Sequence, residues 1–465
     1  MTGFAPVAVI REAKARVESL PVPSIIFIVY CFFLIDYFGR LSARIPAYGS
    51  LRPSIILVAV ISLLLLTQIP KIRHALTEKP IQIILLLIFY IFISLPLVEW
   101  PGSVVKNNLD DFIKAVVFLF FTAIIIDTDR RLKIFVTLFI GLQLIRILEP
   151  LTTYFLTGEL RDRTFIGGGE FAMRLGGAAA DVVNSNGLGF VIVTTLAFMH
   201  FLMGGSHHRA LRWLYYALAP LLLYALILTA SRGAFIVLLV LAVFVFLDSR
   251  RKVLLATIAV IGTLVMLATM SDFHKDRYRS IVMHDESALG QTSASRIDLI
   301  VTEFRLGLMR PVFGHGLGTT WEAKVHKMGL RPQASHNLYA EIMIELGFIG
   351  AAIFISYLVV LYILVRSNLL AFQKAVREEA DISGFQLRLN KALLAVFWVY
   401  AVYSINYYGL SQEYWYLFGG LCIAFAASIA RARESNVASA AGDGQQQSSP
   451  AVRSFVPREG QAWVR

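Results

Sequence analysis

The sequence SRIDLIVTEFRLGLMRPVFGHGLGTTW at residues 295–321, with SHNLYAEIMIELGFIG at residues 335–350, belongs to the one long polar stretch of a strongly apolar chain. Hydrophobic residues make up 57% of the 465 residues and charged residues only 16%, which is too little polar surface for a water-soluble protein of this length. On both sides of the polar stretch, apolar runs alternate with short polar turns. The composition therefore predicts an all-α, polytopic membrane protein.

The apolar runs predict about twelve membrane-spanning helices, because a helix needs about 20 apolar residues to cross a bilayer. The first six predicted spans are Val22–Phe38, Pro53–Ile69, Ile81–Val98, Phe112–Ile126, Leu132–Phe155 and Gly187–Met203. The last six are Trp213–Ala230, Gly233–Leu247, Val253–Met270, Leu338–Val365, Ala392–Tyr408 and Tyr414–Ala430.

Basic residues predict the orientation of these spans. Each even-numbered span is followed by lysine or arginine, for example Lys71 after the second and Arg250 after the eighth. The positive-inside rule places these ends and both termini in the cytoplasm, although Arg40, Arg44 and Arg52 after the first span run against it. Much of the net charge of +12 is thus explained by topology, and we expect no nucleic-acid partner.

The chain divides into five predicted regions. Residues 1–21 lack a cleavage site before a short apolar core and are expected to be a cytoplasmic leader. Residues 22–270 hold nine spans and a loop at 157–186, residues 271–337 form a large loop, and residues 338–430 hold three spans. Residues 431–465, rich in Ser, Gln, Gly and Ala from Ser435 on, are expected to be a disordered cytoplasmic tail.

Both large loops are basic although the topology places them outside the cytoplasm. The loop at 157–186 carries Arg161, Arg163 and Arg174 among many glycines, which suits an anion site or merely a flexible surface loop. In the second loop, apolar residues recur at helical spacing and predict a helix that ends at Arg310-Pro311. These apolar residues are Ile297, Ile300, Val301, Phe304 and Leu308. The turn Gly314–Gly318 follows, and its glycines are expected to be architectural.

Three further features are candidates for a functional or structural role. His336 is expected at the start of a helix capped by Ser335, where the helix dipole would keep the imidazole neutral and able to accept a proton. Arg232 lies between two apolar spans and is either a functional residue or one that reaches lipid headgroups. Arg146 and Glu149 are expected to neutralise each other in the fifth span.

Arginines around one neutral histidine, without a convincing set of metal ligands, suit glycosyl transfer from a polyprenyl-diphosphate donor. Arginine binds phosphate in a bidentate manner, and a diphosphate leaves as an anion without a general acid. The acceptor hydroxyl needs one base. The alternatives are a helix-capping role for His336, a solvated loop charge for Arg296, and a transporter of lipid-linked glycans or an envelope scaffold for the whole chain.

Four motifs together resemble those of the O-antigen ligase and polymerase superfamily. They are PVFGHGLGTTW at 311–321, SHNLYAEIMIELGFIGA at 335–351, SRG at 231–233 and VVNSNGLGF at 182–190. The resemblance implies a GT-C-like, inverting, metal-independent glycosyltransferase without a cofactor, in the bacterial inner membrane with a periplasmic active site. It implies His336 as the catalytic residue and Arg232 and Arg296 as diphosphate ligands. Less specific diphosphate-binding candidates are Arg161, Arg163, Arg174, Arg305 and Arg310, and second-tier site candidates are His315, Arg146, Asn337 and Glu341.

The resemblance also implies the partners. The donor would be an undecaprenyl-diphosphate-linked glycan within the membrane lipids. A ligase would pass the glycan to the lipid A core, and a polymerase to a second lipid-linked glycan. The resemblance favours the ligase, because the family signature most often carries that name, and the acceptor, the sugar and the oligomeric state stay open.

Overall fold

The computed structural model describes residues 21–167, 170–181, 183–257, 260, 288–377, 384–407 and 409–446. Most of these residues are helical, as predicted for an all-α membrane protein. The helices before a central β-hairpin are α1 (Ser24–Gly39), α2 (Pro53–Leu65), α3 (Lys79–Ser94), α4 (Leu109–Ile125) and α5 (Asp129–Thr157). Those after it are α6 (Ser185–Met199), α7 (Arg209–Thr229), α8 (Arg232–Asp248), α9 (Ala288–Leu308), α10 (Thr320–Met328), α11 (Leu338–Arg377), α12 (Gly384–Tyr403) and α13 (Glu413–Gln446).

Short helical segments extend or connect several of these helices. Leu41–Arg44 and Pro46–Gly49 follow α1, and Leu66–Gln68 and Ile69–Ala75 continue α2. Leu95–Leu97 extends α3, Pro101–Ser103 and the π-helical Val104–Asn108 lead into α4, and the π-helical His200–Gly204 continues α6.

Seven helical segments of the described chain are long and apolar enough to cross a membrane. They are Pro53–Ala75, Lys79–Leu97, Asp129–Thr157, Ser185–Gly204, Arg209–Thr229, Leu338–Gln373 and Glu413–Arg431. Helix α1 is apolar but shorter, and α4, α8 and α12 coincide with three more predicted spans without being among the seven. The membrane class is confirmed, whereas the number of twelve spans is not. Most of the predicted ninth span, Val253–Met270, lies outside the described residues.

Polar contacts group the inter-helix turns at two ends of the bundle. At the end that carries the hairpin, here the hairpin end, the contacts include Arg40 Nε to Asp181 Oδ1 (3.3 Å), His315 Nδ1 to Glu99 Oε2 (2.8 Å) and Leu338 N to Ser404 O (2.8 Å). At the opposite end they include Lys391 Nζ to Asp248 Oδ1 (2.5 Å), Gln386 Nε2 to Asp129 Oδ2 (3.5 Å) and Lys71 Nζ to Asp127 Oδ2 (3.7 Å). The turns after odd-numbered predicted spans thus meet at one end, and those after even-numbered spans at the other.

The glycine-rich loop at 157–186 contains the β-hairpin, a local departure from the all-α prediction. Strand β1 (Arg161–Gly167) pairs antiparallel with β2 (Glu170–Leu175). The Asp162 carboxylate of β1 accepts hydrogen bonds from the backbone N (2.8 Å) and Oγ of Ser185 at the start of α6. Because this carboxylate binds the first residue of α6, the hairpin is fixed to the end of the bundle.

Helix α11 breaks at Gly347, whose φ of 63° and ψ of −166° are not helical. The carbonyls freed there accept hydrogen bonds from the glycine turn, His315 N to Ile344 O (2.7 Å) and Gly316 N to Glu345 O (2.9 Å). At Gly314, with φ of 73°, a Cβ would lie 2.4 Å from Glu345 O. A side chain is therefore excluded, which agrees with the architectural role predicted for this turn.

The last helix extends further than the sequence predicts. Helix α13 continues through Gln446, so residues 431–446 of the predicted disordered tail are helical. Residues 447–465, like residues 1–20 of the predicted leader at 1–21, lie outside the described residues.

Candidate functional site

Arg232 lies inside the protein at the hairpin end of the bundle. Helix α7 ends at Thr229, Ala230 takes a left-handed conformation with φ of 44°, and the Ser231 hydroxyl caps α8 by accepting a hydrogen bond from Ala234 N (3.3 Å). Arg232 is then the first residue of α8, and only 7% of it is exposed. This burial favours a role inside the protein over one in which the guanidinium reaches lipid headgroups.

Arg174 holds the hairpin next to this turn. Its buried guanidinium donates from Nε to Thr229 O (2.7 Å), from Nη1 to Thr164 Oγ1 (3.0 Å) and from Nη2 to Asn186 Oδ1 (2.9 Å). All three guanidinium nitrogens therefore contact the protein itself. These contacts join the hairpin to the turn before Arg232.

His336 is exposed on a turn that leads into α11. Asn337 is the N-cap of this helix, since its Oδ1 accepts hydrogen bonds from Tyr339 N (2.9 Å) and Ala340 N (3.0 Å). The prediction that Ser335 caps the helix is wrong, because its hydroxyl instead donates to Glu303 Oε2 (2.7 Å). The Asx turn of Asn337 thus fixes the backbone directly after His336.

A buried ion pair lies beneath this turn. Lys324 Nζ contacts Glu303 Oε1 at 2.6 Å, and both side chains are 0% exposed. Sequence reasoning missed this pair, because each residue by itself resembles an ordinary solvated charge on an amphipathic helix.

The described part of the turn between α12 and α13, residues 404–407 and 409–412, lies between the Arg232 turn and the His336 turn. Ser404 O accepts a hydrogen bond from Leu338 N (2.8 Å) at the start of α11. On the other side, a Cβ added to Gly233 would lie 3.3 Å from Asn406 Cβ. Because one short segment contacts both turns, the structure brings Arg232 and His336 to the same part of the hairpin end.

Glu341 also fixes this segment. Its Oε2 accepts hydrogen bonds from Gly409 N (2.8 Å) and Leu410 N (3.2 Å), and the residue is buried. These contacts make Glu341 the anchor of residues 409–410.

Two small cavities lie inside the bundle, the first of them next to this segment. The first has a volume of about 20 Å³ and is lined by Phe190, Tyr400, Tyr403, Ser404, Tyr407, Gly409, Tyr414 and Trp415. The second has a volume of about 10 Å³ and is lined by Phe135, Phe139, Phe198, Tyr400, Leu417, Phe418 and Leu421. Tyr400 lines both, so aromatic and aliphatic walls continue from the candidate site towards the middle of the bundle.

The other predicted arginines lie at the surface of the hairpin end or outside the described side chains. Arg161 and Arg163 are exposed on β1, and Arg305 is exposed on α9. Arg310 is partly buried and donates from Nη2 to Leu97 O (2.6 Å). Arg296 lies within α9, but its side chain is outside the described part of the structure.

His315 is fully buried and contacts protein groups on both sides of its ring. Nδ1 lies 2.8 Å from Glu99 Oε2, Nε2 lies 3.2 Å from Leu306 O, and the ring stacks on Trp100 at 5.6 Å. Burial raises the pKa of the Glu99 carboxyl, but the hydrogen bonds and the electrostatic attraction of Lys327 and His315 together lower it by more, so the net shift is downward. These contacts make His315 a structural link between the α3–α4 connection and α9.

Arg146 does not pair with Glu149, so that prediction is wrong. Its guanidinium contacts the buried Asp181 at 2.7 Å and 3.2 Å and donates to Gln143 Oε1 at 3.1 Å. Glu149 instead pairs with Arg44. Spacing along one helix suggested the wrong partner, because Asp181 comes from the loop that folds back over the bundle.

These features define a class, namely a helical membrane protein with a polar site at one end of its bundle. Within the described residues, no group of three or more His, Cys, Asp or Glu side chains is placed to hold a metal ion.

Residues 217–355 match the family model described as O-antigen ligase. Over this segment the chain is similar to the O-antigen ligase family, which supports the resemblance of its motifs to the O-antigen ligase and polymerase superfamily. The segment is less than a third of the chain and contains Arg232, Arg296, the glycine turn and His336, whereas Arg146 and Arg174 lie before it. A search of the curated proteins gave no match. The family match supports a membrane enzyme of the glycan ligase or polymerase type.

Proposed function

We propose that this protein transfers a glycan from an undecaprenyl-diphosphate carrier to an acceptor hydroxyl on the lipid A core, with inversion at the anomeric carbon and without a metal ion. The observation that carries the proposal is the exposed His336, which lies on a turn anchored to buried groups within the matched segment. The hairpin end would face the periplasm of the bacterial inner membrane, which agrees with the basic turns at the opposite end.

His336 would act as the general base. A base must reach the hydroxyl whose proton it takes, and an exposed ring on a fixed turn meets this condition. Position alone lowers the barrier further, because a base held in place does not lose orientational freedom during the reaction.

Arg232 and Arg296 would bind the donor diphosphate. The leaving group is already an anion, so cations that stabilise its growing charge replace a general acid. Arg232 is suited to this task because it begins α8, where the helix dipole adds positive potential inside a protein environment. Arg161, Arg163 and Arg305 are exposed and would raise the local concentration of the anionic donor.

The remaining sequence candidates would support the site rather than bind substrate. Arg174 and Arg146 donate to protein oxygens, and Asn337 caps α11. Glu341 holds residues 409–410, Arg310 binds a backbone carbonyl, and His315 is enclosed.

The proposal is tested with purified protein in lipid nanodiscs. The substrates are an undecaprenyl-diphosphate glycan and, in separate reactions, lipid A core or a second lipid-linked glycan. We expect transfer to the core, and replacement of His336 by alanine should abolish it. The matched control is His207→Ala, which removes an exposed histidine from the opposite end of the bundle. Transfer only to the second lipid-linked glycan would make the protein a polymerase, and transbilayer movement of the donor without transfer would make it a flippase.

A further inference from the structure

We propose that the buried ion pair between Glu303 and Lys324 positions His336 for catalysis. This inference rests on the function proposed above. The two residues lie on α9 and α10, before the turn that carries His336, and neither contacts substrate in the proposed reaction.

The pair binds the catalytic turn at three consecutive residues. Lys324 Nζ donates to Ala334 O (3.0 Å), and Ser335 Oγ donates to Glu303 Oε2 (2.7 Å). The backbone N of His336 lies 3.4 Å from Glu303 Oε1. The backbone before the imidazole is therefore held by the pair, while Asn337 holds the backbone after it.

Burial indicates that the pair serves geometry more than stability. Both side chains are 0% exposed, so both charges lose their hydration when the protein folds. A buried ion pair recovers this cost only partly, and apolar residues of similar size often stabilise a fold as well. Apolar residues have no hydrogen-bonding groups for residues 334–336, which explains why a charged pair is useful here.

The pair also connects separate elements. Glu303 lies on α9 and Lys324 on α10, and the turn that they bind begins α11. Any shift of α9 relative to α11 would therefore move the turn that carries His336. The ring itself stays exposed, as a base that meets an incoming hydroxyl must.

The double variant Glu303→Leu with Lys324→Met tests the inference, because it removes both charges together and leaves no unpaired buried ion. We expect it to fold, with a kcat about 10- to 100-fold lower and a donor KM within about twofold of the unmodified protein. The matched control is Asp248→Leu with Lys391→Met, which removes an ion pair at the opposite end and should leave kcat within about twofold.

A second variant keeps the test decisive if the double variant does not fold. Ser335→Ala removes the hydroxyl that binds Glu303 and that also accepts a hydrogen bond from Asn337 N (3.1 Å), and Ser335→Thr restores a hydroxyl. We expect kcat to fall about 5- to 20-fold in the alanine variant and to recover in the threonine variant.

Two results separate this inference from the proposed function. If His336→Ala is inactive but the folded double variant or Ser335→Ala keeps the wild-type kcat, the positioning role of the ion pair would be overturned. Full activity of His336→Ala would instead overturn the proposed function itself.

Discussion

Replacing Arg174 by methionine should destabilise the protein, because this guanidinium connects the hairpin to the turn before Arg232. Methionine keeps the apolar stem but removes three hydrogen bonds, to Thr229 O (2.7 Å), Thr164 Oγ1 (3.0 Å) and Asn186 Oδ1 (2.9 Å). Hydrogen bonds from a charged donor contribute about 1.5–3 kcal/mol each, and partial relaxation offsets part of the loss. We expect the free energy of unfolding to fall by about 3–5 kcal/mol.

The assay is denaturant unfolding of the purified protein in detergent, followed by tryptophan fluorescence. The matched control is Arg163→Met on the neighbouring strand, where the arginine is exposed and the loss should stay below about 0.5 kcal/mol. Donor binding is measured on the same samples. If Arg174→Met unfolded like the control but lost donor affinity, the guanidinium would serve the diphosphate, and our structural assignment would be refuted.

Three further predictions concern the glycine turn, Glu99 and metal ions. Gly314→Ala should lower the free energy of unfolding by about 3 kcal/mol, because φ is 73° and the new Cβ would lie 2.4 Å from Glu345 O. The control Gly329→Ala, with φ of 62° and open space around the new Cβ, should lower it by about 1 kcal/mol. Equal losses in the two variants would contradict the close packing at Gly314. The pKa of Glu99 is lowered from its ordinary value of 4.5, so the stability that the ionised carboxylate contributes is present above that pH and is lost as the pH falls through the lower folded-state pKa. Glu99→Gln should therefore remove this part of the acid-induced loss of stability. An unchanged acid transition in thermal melts between roughly pH 3 and pH 7 would contradict this role of Glu99. Transfer should continue at full rate in excess chelator, and a strict requirement for an added divalent cation would rule out the metal-independent scheme.

The sequence predicted the elements that depend on local composition. The apolar runs predicted most of the helices, and the basic residues at alternate turns predicted which turns share an end of the bundle. Arg232 stood out because a lone arginine between two apolar runs is costly to bury. The motif around His336 was recognisable because its residues are contiguous in the chain.

What the sequence could not predict depends on contacts between distant segments. Helical spacing predicts Glu149 as the partner of Arg146, whereas the observed partner, Asp181, lies 35 residues away in the chain. Both Ser335 and Asn337 suit the cap position, and only the contacts of Asn337 with the helix backbone and of Ser335 with Glu303 decide between them. The pairing of Glu303 with Lys324 likewise has no local signature, since it depends on how α9 packs against α10.

The most direct test of the central claim is transfer of the glycan to lipid A core by purified His336→Ala protein in nanodiscs, with the donor saturating and the folded state verified by its unfolding transition. The account predicts that donor binding persists while kcat falls by about 100-fold or more, as expected for loss of a general base. Near-normal transfer by this variant would contradict the account, because the reaction would then not require His336 as its base.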